Sequence, residues 1–113
     1  MNPLEQYLMS LNSLNSKNQA MSVIRSFLGV NLGHEGRIQR FNWKLLTFEY
    51  VLMHISKLES SGYQYRSINV HLSIIKGLVK HCWVAGKINS NAYLKINAIG
   101  VSTLFRTRNL ILI

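Results

Sequence analysis

Apolar residues return every three or four positions along most of this chain, the spacing of one face of an α-helix, while alternation at a period of two is nearly absent. Pro3 at a first helical position, with Asn2 before it and Glu5 three residues after the cap, predicts a first helix whose stripe is Leu4, Leu8 and Leu11. Residues 12–15 read as a polar break. Ser16-Lys17-Asn18-Gln19 then has the form of a capping box, with Ser16 as cap, and predicts a second helix over residues 17–32. Its inward face is Ala20, Met21, Ile24, Phe27 and Leu28, and Gly33 is its expected stop.

Residues 33–44 read as a loop with Phe41 and Trp43 as apolar anchors among Arg37, Arg40 and Lys44. Thr47 caps a third helix, in which Glu49 suits the positive end of the helix dipole and Phe48, Val51, Leu52, Ile55 and Leu58 keep helical spacing. Ser60-Ser61-Gly62 ends it. A fourth helix is predicted over residues 66–84, with a broad stripe of Ile68, Leu72, Ile75, Leu78, Val79 and Cys82 and a stop at Gly86. Ser90 caps a shorter last helix to about residue 99, turning Tyr93, Ile96 and Ile99 inward. The fold class expected is therefore all-α: a single domain of four to five helices around one core over residues 1–100, followed by a linker over residues 101–113. Caps and glycines interrupt the stripes too often for a coiled coil.

Composition narrows what such a domain meets. Its 113 residues, 48% hydrophobic, suffice for one core without a disulfide or metal staple. The lone Cys82 offers no disulfide framework and points to a reducing cytoplasm. Thirteen Lys and Arg against four acids give +9 at neutral pH, the imbalance of a folded domain that meets a polyanion. Nucleic acid is the first candidate, an anionic membrane surface the second, and an unspecialised basic surface the third. The N-terminus lacks the basic start of a signal peptide and no apolar run approaches the ~18 residues a membrane helix requires, and because the bases are spread over several helices rather than lining one amphipathic segment, no membrane partner is expected.

Residues 62–113 contain no Asp or Glu. Within that stretch Asn69, Ser73, Lys76 and Lys80 fall on one line opposite the apolar stripe of the fourth helix, with Arg66 just before them. Such a line suits duplex DNA, Lys and Arg for phosphates and Asn or Ser for base edges in the major groove. A solvated helix face is the plain alternative. The start of the second helix offers a comparable surface in Ser16, Lys17, Asn18 and Arg25, with Ser22 and Ser26 beside them.

Other chemistries find little support. His34, His54, His71 and His81 show no i, i+3 or i+4 pair on one helix, so no metal and no cofactor is expected. His54 reads as a boundary residue, while His71 and His81 flank the basic line. Cys82, Trp43 and Trp83 read as core packing. No phosphate loop, nucleophile elbow or H-E-x-x-H is present, and Glu5, Glu35, Glu49 and Glu59 are too scattered for an acid/base pair.

Three stretches carry a likeness to a family: Asn2-Pro3-Leu4 through Ser16-Lys17-Asn18-Gln19; Phe41-Asn42-Trp43 with Leu46-Thr47; and Gly62 through Ser67-Ile68-Asn69, Leu72-Ser73 and Lys76 to Trp83 and Gly86-Lys87-Ile88. In order and spacing the chain resembles, over residues 2–100, the N-terminal SAM-like core-binding domain of phage-integrase-type tyrosine recombinases of mobile genetic elements. The resemblance implies a helical half that closes on duplex DNA as a clamp with a catalytic domain. It also implies that the helices at residues 17–32 and 66–84 face DNA, and that the last helix, residues 91–99, meets other recombinase protomers. It implies no catalysis by this chain, since Tyr7, Tyr50, Tyr63, Tyr65 and Tyr93 all lie inside the helical module. Arg106-Thr107-Arg108-Asn109-Leu110 resembles the linker toward the catalytic half. A helical protein-interaction domain, or a truncated recombinase remnant that modulates assembly, is the alternative.

Overall fold

The computed structural model describes residues 2–30 and 36–100. The expected stop at Gly33 and the expected linker, residues 101–113, lie outside them. The order is α1 (Pro3–Met9), α2 (Leu14–Leu28), a four-residue α3 (Gly36–Gln39), a 3₁₀ turn (Trp43–Leu45), α4 (Phe48–Ser60), α5 (Tyr65–Val84) and α6 (Ser90–Asn97). Among the described residues there is no strand, and the domain is all-α.

The 20-residue α5 is the centre of the packing, touching α1, α2, α4 and α6. Its stripe of Ile68, Leu72, Ile75, Leu78, Val79 and Cys82 is buried throughout. Val23, Ile24 and Phe27 of α2, Val51, Ile55 and Leu58 of α4, and Ile96 of α6 close on the same core. Each such side chain contributes about 1.5–3 kcal/mol relative to exposure. On the other flank Tyr7 of α1 lies over Gly77. A Cβ at position 77 would come within 3.0 Å of the Tyr7 Cζ and closer still to Cε1, so the missing side chain lets α1 approach.

Several boundaries differ from the sequence pattern. The cap of α2 is Ser13, not Ser16: its Oγ accepts the Ser16 N–H at 3.1 Å and its hydroxyl donates to Ser16 Oγ at 2.9 Å. The expected polar break therefore supplies the first turn of the helix. At the other end α2 stops at Gly29, whose φ of +70° is a left-handed conformation that glycine adopts without Cβ strain. The Val30 N–H then closes on the Arg25 carbonyl at 2.9 Å, and the same pattern ends α4 at Gly62 and α5 at Gly86. In α6 the cap is Asn89 rather than Ser90, with Asn89 Oδ1 accepting the Ala92 N–H at 2.8 Å.

Two residues change class. His54 is not a boundary residue: it is 7% exposed, between the rings of Phe27 and His71. Trp83 is not a core anchor: it is 37% exposed, stacked on Tyr93 at 4.4 Å with its Nε1–H donating to Ser90 Oγ at 3.0 Å. Trp43 and Cys82 are buried as expected.

Candidate nucleic-acid interface

The polar line of α5 is positioned by the stripe behind it. With six apolar residues turned into the core, Arg66, Asn69, Ser73 and Lys80 are left on the outer surface and are exposed. Lys76 sits at the edge of that line, half-buried, and desolvation lowers its pKa from the ordinary lysine value. At 1.5 Å per residue the line from Arg66 to Lys80 runs about 21 Å along the helix.

The expected α2 surface is partly reorganised by the earlier helix start. Asn18 and Ser22 are exposed and Arg25 is half-buried near the helix end. Ser16 is exposed, but its N–H is bonded to Ser13 and is not free for a phosphate. Lys17 is half-buried, with its N–H on the Ser13 carbonyl at 3.1 Å. Asn18, Ser22 and Arg25 therefore make the outward line of α2, while Ser16 and Lys17 lie on its flanks.

The two helices share a groove of about 360 Å³ lined by Gln19, Ser22 and Val23 of α2, Ser67, Val70 and His71 of α5, and Tyr63. Of the two polar faces that the sequence pattern singles out, only Ser22 lines this groove: α2 packs on the Ser67, Val70 and His71 flank of α5, and the Asn69, Ser73, Lys76 and Lys80 line lies on another flank of the helix. The histidines expected to flank the α5 line are drawn inward. The His71 ring lies 5.8 Å from His54 and 5.6 Å from Tyr63, and the His81 ring lies 5.8 Å from Tyr7.

Burial also sets the remaining titratable groups. Desolvation, then the neighbouring His71 and Lys57, lowers His54 to about 4, and desolvation lowers His71. Burial pushes the Cys82 thiol up to about 12 and raises the Tyr7 and Tyr50 phenols. Among the described residues no group of three or more His, Cys, Asp or Glu is placed to hold a metal ion, and no helix is long and apolar enough to cross a membrane.

Sequence reasoning missed Lys44 and Lys87 as neighbours. They line the same two surface clefts, although one belongs to the 3₁₀ turn and the other follows α5. The only sequence signal was their charge. It also missed that Val84 and Leu94, the chain neighbours of the stacked Trp83 and Tyr93, stand 67% and 62% exposed. No protein-family model, curated protein or solved structure matches this chain.

Proposed function

We propose that this domain binds duplex DNA along the outer faces of α2 and α5, as the core-binding module of a site-specific tyrosine recombinase acting in DNA integration and recombination in the bacterial cytoplasm. The observation that carries the reading is the α5 face: Arg66, Asn69, Ser73 and Lys80 exposed in one line, Lys76 at its edge, and no acid anywhere in residues 62–100. A major groove about 12 Å wide admits an α-helix. The bases then meet phosphates and fix the register, while Asn69 and Ser73, and Asn18 on α2, have the donors and acceptors that read base edges. Strand cleavage is left to the catalytic domain that family members carry.

Binding to a mixed-sequence duplex is measured by fluorescence anisotropy across a salt series. A module making about 4 to 6 phosphate contacts loses affinity steeply with salt. Replacing both Lys76→Glu and Lys80→Glu abolishes binding while circular dichroism keeps its helical signal. A flat salt dependence, or retained affinity in the double variant, refutes the assignment.

The exposure of Leu94 on the last helix, and of Val84 and Trp83 at the end of α5, favours one addition, contact of the last helix with other recombinase protomers. Self-association seen by sedimentation and lost in Leu94→Glu supports it, and a monomer at all concentrations, with and without DNA, argues against it.

A further inference from the structure

Two surface clefts adjoin where the 3₁₀ turn meets the turn between α5 and α6. One, of about 390 Å³, has Lys44, Thr47, Lys87 and Asn89 among its lining. The other, of about 380 Å³, is lined by Asn42 and again by Lys44 and Lys87. The lining is chemically one-sided: two ammonium groups, two carboxamides and a hydroxyl, with no carboxylate among the described residues.

Both lysines stand on fixed backbone. Lys44 lies between buried Trp43 and Leu46, and its N–H donates to Asn42 Oδ1 at 3.2 Å. Lys87 precedes buried Ile88, and its N–H donates to the Cys82 carbonyl at 2.8 Å in the turn that ends α5. The side-chain oxygens of Asn42 and Asn89 are taken up in capping, which leaves their amide N–H groups as donors for a ligand. Side chains of this kind on an anchored floor suit an acceptor with one delocalised negative charge and several oxygens, which describes a phosphodiester. The cleft lies just past the end of α5, with Lys87 seven residues beyond Lys80 in the chain.

We infer that this cleft seats the phosphodiester backbone of a DNA strand, with Lys44 and Lys87 gripping phosphates beside the groove that α5 enters. The inference rests on the DNA reading above and adds to it a second contact surface from elements outside α2 and α5. Phosphate contacts of this sort position the domain without reading sequence.

The experiment compares wild type, Lys44→Ala with Lys87→Ala, and a control pair Lys57→Ala with Lys95→Ala that removes the same charge elsewhere. Each is titrated with a mixed-sequence duplex over a salt series. Loss of two phosphate contacts reduces the slope of log K against log salt by about 1.8. That reduction is expected in the cleft pair, with a much smaller one in the control pair, and with restoration by Lys44→Arg with Lys87→Arg. All four replaced lysines are exposed, and thermal melts verify that the variants fold. A cleft pair that binds with the wild-type slope, or one that loses no more than the control, overturns the cleft while leaving the α5 reading intact. Wild type without duplex affinity overturns both.

Discussion

Acid should loosen this domain through one residue. His54 sits in α4 at 7% exposure, edge-on to Phe27 at 5.2 Å and tilted against His71 at 5.8 Å, and among the described residues its Nε2 has no hydrogen-bond partner. Burial, His71 and Lys57 together hold its pKa at about 4, against 6.5 for an ordinary histidine. The folded state therefore binds fewer protons than the unfolded state between those two values, and stability falls as pH drops through that window. The loss from His54 alone is about 2 kcal/mol at pH 5 and about 3 kcal/mol once pH reaches the folded value, after which it levels off. His71 is shifted in the same direction and adds to the slope. Urea unfolding followed by circular dichroism between pH 7 and pH 5 measures the effect above the range where most carboxylates titrate. His54→Leu removes the titrating group and a buried unpaired nitrogen together, so the variant should keep most of its stability and lose most of the slope. A wild-type stability that stays level over this range, or a His54→Leu variant as acid-sensitive as wild type, would refute the reasoning.

Other outcomes follow from the core. Gly77→Ala should destabilise by about 1 kcal/mol, because the overpacking against Tyr7 outweighs the helix propensity that alanine brings. In a Tyr7→Ala background the same change should stabilise by about 1 kcal/mol, a sign reversal that denaturant melts of the four-member cycle will reveal. Cys82, wholly buried with its thiol raised to about 12, should resist iodoacetamide at neutral pH until global unfolding, and rapid labelling of the native protein would contradict its place in the core.

The parts of the fold visible in the sequence are those set by local pattern. All six stripe residues of α5 are buried, and the end of the helix at Gly86 is as expected, because a wide apolar face and a left-handed glycine act within a few residues of each other. The start of α2 was hidden because Leu14 points outward, 71% exposed, so the first turn carries no apolar signal while the Ser16–Gln19 pair imitates a cap. In α1 Tyr7 is more deeply buried than Leu8, which packs only partly against the core, as does Leu11 beyond the helix end, for a reason no local window contains, the space left at Gly77. Ile38, fully buried, belongs to a segment that reads as loop. The candidate interface divides in the same way. The α5 line is the complement of its stripe and could be written down from spacing alone, whereas Lys44 and Lys87 meet only because the turn after α5 lies against the 3₁₀ segment.

The contact between Tyr7 and Gly77 also sets an order of events during synthesis. The first helix leaves the ribosome roughly seventy residues ahead of the surface it packs on. At ordinary rates of translation Leu4 and Tyr7 wait several seconds for that surface to appear. α2 waits nearly as long, and α4 is made before any of α5 exists. Closure of the core is thus timed by the arrival of one helix, and until then the nascent chain shows solvent several short apolar stripes without a common partner. A stall or cleavage within α5 would leave its predecessors with nothing to fold against, so partial products of this chain should be substrates for chaperones and proteases rather than small stable domains.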